Sequence, residues 1–217
     1  MIIVNTQKLF NQLKQQIQSK PFVLLQMYSD VKAHPQENRV SCYYVDFQDE
    51  QYIVPIHHTE KYQDDIKLIE TEQTIFVQDL KQYYHNTLVI SKDIRDMNWS
   101  YYLQHNKPYE SEQHMTSAHF HYNRLHHDKQ NINDLIPLVK HAEYLQPLAE
   151  NLFNHYNEQD QTLLENLYQI ERNGLKTYEK IVYSEYNPYT STGRPSNRFG
   201  GMNFAALNKS DGSREQF

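Results

Sequence analysis

Short apolar runs with polar boundaries dominate the first 90 residues of the chain and predict β-strands. Valine, isoleucine, tyrosine and phenylalanine are frequent in these runs, and such side chains suit a pleated, half-buried surface. The alternation of apolar and polar positions is clearest over residues 40–47. The predicted strands cover residues 22–25, 40–47, 52–56 and 74–77, and a further apolar run covers 87–90.

Later in the chain the apolar positions recur every three or four residues, which predicts helices. The predicted helices cover residues 61–72, 93–105, 112–127, 132–156 and 159–170. Pro137 and Pro147 interrupt the fourth of them, because proline lacks the N–H that a helix interior needs. Strands first, followed by mixed helix and strand, indicate an α/β fold.

Glycine divides the chain into two parts. All five glycines lie at or after Gly174, so the first 173 residues contain none of the residue that most readily adopts positive φ. From Arg194 to the last residue the side chains carry a local charge of +2, which leaves −8 for the rest of a chain whose net charge is −6. The tail is therefore where we expect an anionic partner.

Charge and cysteine content narrow the range of expected partners and cellular compartments. A net charge of −6 argues against coating nucleic acid through bulk charge and makes any contact with DNA a matter of local patches. Cys42 is the single cysteine and cannot form an internal disulfide, which favours a reducing, cytoplasmic compartment. No apolar run approaches the roughly 20 residues that cross a bilayer, so no membrane partner is expected.

The segment over residues 186–209 combines glycines, hydroxyls, amides and arginines. These groups grip phosphate and sugar or reach minor-groove acceptors, although a solvated glycine-rich loop has the same composition. The order of residues is more specific. Thr192-Gly193-Arg194-Pro195-Ser196-Asn197, followed by Asn203 and by Asp211-Gly212-Ser213-Arg214, resembles the passage from thumb to palm in family A (DNA polymerase I-like) DNA polymerases, most closely in bacteriophage members.

A second match lies upstream, where Ile170-Glu171-Arg172-Asn173-Gly174 resembles the family's Ile-Glu-x-x-Gly turn after the exonuclease domain. The resemblance implies that Arg194 contacts the primer-terminal region through the minor groove and that polar neighbours hold primer and template. The implied DNA-binding residues are Thr192, Gly193, Arg194, Ser196, Asn197, Asn203 and Arg214. Only 17 residues separate the two matches, so the thumb is expected to be short and a processivity factor becomes an expected partner.

The resemblance also implies a domain organisation. A degenerate 3′-5′ exonuclease-like domain with a ribonuclease H-like mixed sheet and helices would cover 1–150, a helical link or short thumb 151–185, and an incomplete palm segment 186–217. The family's palm aspartates and fingers lysine would lie after Phe217, so this chain alone is predicted to be inactive, with no catalytic residue. The expected partners are primer-template DNA and the rest of the polymerase, with Mg²⁺ bound only by the complete enzyme, in the bacterial or phage-infected host cytoplasm.

Exonuclease chemistry is expected to be lost. Family exonucleases use four carboxylates to hold two metal ions. By position, Gln26 and Tyr28 replace the acids of the first strand, and His114 and Leu145 stand where two further acids would lie. We therefore predict no metal site. Two alternatives stay open: a shifted alignment that uses Asp30, Asp46 or Asp49 in an active 3′-5′ exonuclease, and a non-catalytic DNA-binding or interaction module.

Three other groups of residues are read as structural. The histidines over 114–127 lack the tight spacing of zinc ligands, so exposed or hydrogen-bonded side chains are favoured over a metal site. The acid pairs Asp64-Asp65 and Asp93/Asp96 are expected on polar helical surfaces. Paired tyrosines could stack on single-stranded bases, but half-buried packing with one ring of each pair inside is favoured. These pairs are Tyr43-Tyr44, Tyr83-Tyr84 and Tyr101-Tyr102.

Overall fold

The structure is a computed structural model that describes residues 1–30, 34–56, 69–86, 91–107, 153–177, 180–198, 207 and 210–212. The predicted strand run 87–90, the helix 112–127, most of the helices 61–72 and 132–156, the histidines over 114–127 and the pair Asp64-Asp65 lie outside these residues. Residues 69–72 are described and are not helical.

A six-stranded mixed sheet forms the centre of the described structure. Its strands are β1 (Ile2–Ile3), β2 (Phe22–Asp30), β3 (Arg39–Asp46), β4 (Gln51–Pro55), β5 (Ile75–Val77) and β6 (Ile94–Asp96). The order across the sheet is β1-β4-β3-β2-β5-β6. Strands β2, β3 and β4 run antiparallel in sequence, whereas β5 lies parallel to β2, β6 parallel to β5, and β1 parallel to β4. The predicted α/β class with a mixed sheet is confirmed.

Local sequence features explain where helices form in the described ranges. They are α1 (Gln7–Ile17), α2 (Leu80–Asn86), α3 (Met97–His105) and α4 (Glu158–Asn173), with short 3₁₀ helices at Pro35–Glu37 and Phe153–His155. Helix α1 buries Phe10, Leu13 and Ile17, three or four residues apart, as an amphipathic helix does. Helix α4 begins at a capping box in which Asn157 and Asp160 satisfy each other's backbone N–H groups.

Helix α4 packs against α2 and shares the core of the sheet. Leu164 and Tyr168 are buried in one apolar cluster with side chains of β2, β3 and β5. The Tyr168 ring stacks on Tyr84 of α2 with ring centroids 5.2 Å apart, and the Tyr84 hydroxyl donates to Glu165 at 2.6 Å. Because α4 is held in this core, the chain that follows it leaves from a fixed point.

Two short hairpins follow α4. Strands β7 (Leu175–Lys176) and β8 (Ile181–Val182) pair antiparallel, and so do β9 (Glu185–Asn187) and β10 (Ser196–Arg198). Gly174 ends α4 with φ +67° and donates its N–H to Ile170. The division of the chain at Gly174, which the distribution of glycine indicated, thus coincides with the end of the last described helix.

Four predicted strands and the helix over 159–170 are confirmed, whereas the start of the helix predicted over 93–105 is wrong. Residues 94–96 form β6, and the helix begins only at Met97. The expectation of a polar helical surface for Asp96 is also wrong, because Asp96 is fully buried. Its carboxylate accepts from Leu80 N at 2.8 Å and Trp99 N at 2.9 Å, and so caps two helices at once.

The expectation of one buried ring in each tyrosine pair is wrong for all three pairs. Tyr43 and Tyr44 are 2% and 0% exposed although they point to opposite faces of β3. Both faces of the central strands are buried, so alternation does not bring either ring to solvent. Tyr83 and Tyr84 of α2 are likewise both buried, and both rings of the third pair, Tyr101-Tyr102, are half-buried.

Candidate functional site

The candidate site is the turn that joins β9 to β10. Within it Gly193 N donates to Thr190 O at 2.9 Å, and the Thr190 hydroxyl donates to Arg194 O at 2.7 Å. Gly193 has φ +69°, a conformation that costs glycine little. The side chains of Thr192 and Arg194 are exposed at the tip. A compact, internally hydrogen-bonded turn therefore presents a hydroxyl, a glycine and a guanidinium to solvent.

Aromatic side chains attach one side of this turn to the body of the protein. The Tyr102 hydroxyl of α3 donates to Thr190 O at 2.6 Å, and the Tyr189 ring lies 5.9 Å from the Tyr102 ring and 6.0 Å from that of Trp99. The Trp99 indole N–H in turn donates to Asp160 of α4 at 2.9 Å. The turn is thereby linked to both α3 and α4.

A buried ion cluster attaches strand β9. Glu171 Oε1 accepts from Tyr186 N at 2.7 Å and from Lys81 Nζ at 2.5 Å, while Glu171 Oε2 lies 2.9 Å from His85 Nε2. Lys81 Nζ also donates to Tyr186 O at 2.5 Å. The side chains of Lys81, His85 and Glu171 are 5%, 0% and 0% exposed. Helices α2 and α4 thus hold one residue of the hairpin by its main chain.

The cluster keeps Glu171 ionised. Burial alone raises the pKa of Glu171, but the hydrogen bond from His85 and the charge and hydrogen bond of Lys81 outweigh it and hold the pKa below its ordinary value. A charged carboxylate is a stronger acceptor for the Tyr186 N–H than a neutral acid. Nearby, burial and the adjacent His85 lower the pKa of His34, whose ring lies 5.5 Å from that of His85.

Gly174 of the Ile-Glu-x-x-Gly match stands where a side chain does not fit. A Cβ at this position would lie 2.5 Å from Ile181 Cγ2 and 2.9 Å from the Val182 carbonyl oxygen. The two characteristic residues of the match therefore have separate physical tasks: Glu171 binds β9, and Gly174 lets the chain turn sharply into β7.

The structure describes five of the seven predicted DNA-binding residues, all in the turn or on β10. Thr192, Gly193, Arg194 and Ser196 are exposed, whereas Asn197 is half-buried and donates from Nδ2 to the Ser184 hydroxyl at 3.4 Å. Asn203 and Arg214 lie outside the described residues. The described members of the set therefore all lie on the β9–β10 hairpin.

The first exonuclease position holds an amide. Gln26 lies half-buried on β2 and donates from Nε2 to Tyr83 O at 3.3 Å. The side chains of Tyr28 and Asp30, and the whole of His114 and Leu145, lie outside the described residues. An amide hydrogen-bonded to α2 supplies no anionic ligand at this position.

Two acids of the shifted alignment, Asp30 and Asp46, lie far apart. Asp46 pairs with Val23, whereas Asp30 pairs with Arg39. At about 3.3 Å per residue, the seven residues from Val23 to Asp30 span roughly 20 Å, too far for acids that share a pair of metal ions. Asp46 is buried and accepts from the Tyr44 hydroxyl and from Gln48 N, both at 2.8 Å. Its position suits a turn-capping residue.

Among the described residues no group of three or more histidine, cysteine or acidic side chains could hold a metal ion. Nor is any helix in the described ranges long and apolar enough to cross a membrane.

Sequence reasoning missed Lys81 and His85, whose i, i+4 spacing places them on one face of α2. Comparisons with protein-family models, curated proteins and solved structures find no match to this chain.

Proposed function

We propose that this chain is the N-terminal part of a bacteriophage-type family A DNA polymerase and binds primer-template DNA in replication through the turn at Thr192, Gly193 and Arg194. The observation that supports this most directly is the exposed Arg194 on a turn attached to α3 and to the Lys81–Glu171 pair. An arginine on a turn whose main chain is held loses less backbone freedom on binding phosphate or a minor-groove acceptor than one on a loose tail does.

The charge distribution supports an anionic ligand at this end of the chain. The segment from Arg194 onwards is positive although the chain as a whole carries −6. A positive segment on a chain that is negatively charged elsewhere favours binding of DNA at the turn over indiscriminate coating of DNA by the whole surface. Exposed hydroxyls at Thr192 and Ser196 add groups that commonly reach phosphate and sugar oxygens.

The sheet supports the proposal that residues 1–150 form a ribonuclease H-like, exonuclease-like domain. Three consecutive antiparallel strands, with two further strands added parallel to the first of them, are the arrangement expected of such a sheet. We propose that its nuclease chemistry is lost, because Gln26 stands at the first ligand position and Asp30 and Asp46 cannot share metal ions. An active exonuclease is the less favoured alternative.

The proposal also assigns roles to residues 151–217 and to the rest of the polymerase. Residues 151–185, which include α4, would form the link or short thumb, and 186–217 the start of the palm. The remaining palm, the fingers, Mg²⁺ and a processivity factor are the proposed partners of the complete enzyme, in a bacterial or phage-infected cytoplasm. A non-catalytic module that uses the same turn would bind DNA without them.

The test is the affinity of the 217-residue chain for a fluorescent primer-template, measured by anisotropy at fixed salt. Arg194→Ala should weaken binding by about 1–3 kcal/mol, because an intimate arginine contact to DNA is lost. Lys8→Ala, on the exposed part of α1, changes net charge equally and is the matched control. Unchanged affinity in Arg194→Ala, or an equal loss in both variants, would reject the assigned role of the turn.

A further inference from the structure

Both main-chain polar groups of Tyr186 are bound by charged side chains. Its N–H donates to Glu171 and its carbonyl accepts from Lys81. In a strand the N–H and C=O of one residue point to the same edge, so these two side chains occupy the edge of β9 opposite β10. A lysine and a glutamate therefore take the place that a neighbouring strand would fill.

The three contacts depend on one another. Glu171 Oε1 receives both Lys81 and the Tyr186 N–H, and Lys81 reaches both Glu171 and the Tyr186 carbonyl. Buried charges of opposite sign that also hydrogen-bond a main-chain donor and acceptor fix direction as well as distance. Apolar side chains of the same size could fill this space but could not fix the register of β9.

The strand held in this way leads directly into the candidate site. Tyr186 pairs with Asn197 across the hairpin, and the turn with Arg194 joins the two strands. Tyr102 holds the same turn from α3 through Thr190. The direction in which the turn leaves the body is therefore set at two points, and the ion pair supplies the one nearest the strands.

We propose that Lys81 and Glu171 are positioning residues that clamp the β9–β10 hairpin in the orientation competent for primer-template binding. The DNA part of this inference rests on the proposed function, whereas the clamp itself does not. Neither side chain contacts DNA in this view; each acts through the main chain of Tyr186. Loss of the clamp lowers the fraction of hairpins in the competent orientation, and apparent affinity falls by that fraction.

The experiment uses the 217-residue chain and three variants. Glu171→Gln keeps the shape of the side chain but removes its charge, Lys81→Met removes the ammonium, and the double variant leaves no unpaired buried charge. Glu165→Gln is the matched control, because Glu165 also lies on α4 and hydrogen-bonds α2 through Tyr84 but makes no hydrogen bond to the described residues of the hairpin. Urea unfolding, amide hydrogen exchange and primer-template affinity are measured for each.

We expect amide exchange over residues 185–198 to rise roughly tenfold or more relative to the sheet in both single variants. Primer-template affinity should fall by about fivefold or more, whereas Glu165→Gln should change neither. The double variant is decisive. Removing both charges should recover part of the global stability, yet exchange in the hairpin should stay fast and binding weak.

Unchanged hairpin exchange in Glu171→Gln would overturn the clamp, as would a double variant in which exchange and affinity recover together with stability. Fast exchange with undiminished affinity would show that the orientation of the hairpin does not matter for DNA and would overturn the positioning role. Failure of the proposed function is recognised separately, by a wild-type affinity that does not depend on Arg194. In that case hydrogen exchange alone decides whether the clamp exists.

Discussion

The sharpest stability prediction concerns Gly174, which ends α4. Gly174→Ala places a Cβ 2.5 Å from Ile181 Cγ2 and 2.9 Å from the Val182 carbonyl, both closer than van der Waals contact allows. It also forces an L-residue into φ +67°, ψ −179°, a region that only glycine occupies readily. The backbone term costs about 1–3 kcal/mol. Overpacking against β8 costs about another 1–3 kcal/mol.

Together these terms predict a loss of about 2–6 kcal/mol, a large share of the roughly 5–15 kcal/mol that holds a typical domain folded. Gly193→Ala is the matched control, because Gly193 has φ +69° but no atom within 4 Å of its would-be Cβ. It carries only the backbone term, about 1–2 kcal/mol. Urea unfolding of the two variants measures the difference. Equal losses, or a neutral Gly174→Ala, would refute the steric argument.

The remaining predictions concern His34 and Asp96. Burial and His85 lower the pKa of His34, so the unfolded chain takes up a proton first as pH falls through about 6.5 and folding stability declines there. His34→Asn keeps an acceptor for Gln36 N and removes the titration, so its urea midpoint should fall less between roughly pH 7 and 5.5; parallel curves would contradict this. Asp96→Ala leaves the N–H groups of Leu80 and Trp99 without their cap, which should cost about 1–4 kcal/mol in urea unfolding, and a loss below 0.5 would contradict the double-cap role.

Parts of the fold follow from local pattern alone. Alternating β-branched and aromatic side chains predicted β3 and β4 almost to the residue, because the period of a strand is short and both strands are long enough to show it. Helix α4 was predictable for a similar reason, since its apolar positions recur over 16 residues. The boundary at Gly174 could also be predicted from the sequence, because the chain contains no glycine before it.

Other parts have no local signature. Strand β6 spans three residues, too few for a period, and exists because β5 offers it a parallel edge. From the sequence alone, Asp96 resembles a surface acid. Only the tertiary structure brings the first residues of α2 and α3 to its side chain. Tyr43 and Tyr44 both lose solvent because both faces of the sheet are buried, which alternation within one strand does not reveal.

The candidate site divides in the same way. The order Thr192-Gly193-Arg194 and the pair Glu171 and Gly174 could be singled out from the sequence, because type and spacing of residues are local properties. The partnership of Lys81 with Glu171 joins residues 90 positions apart, and that of Lys81 with the Tyr186 carbonyl joins residues 105 apart. Sequence determined which groups are available for binding; only the packing of α4 on α2 decided that two buried charges hold the hairpin, because contact between distant residues depends on how the helices meet.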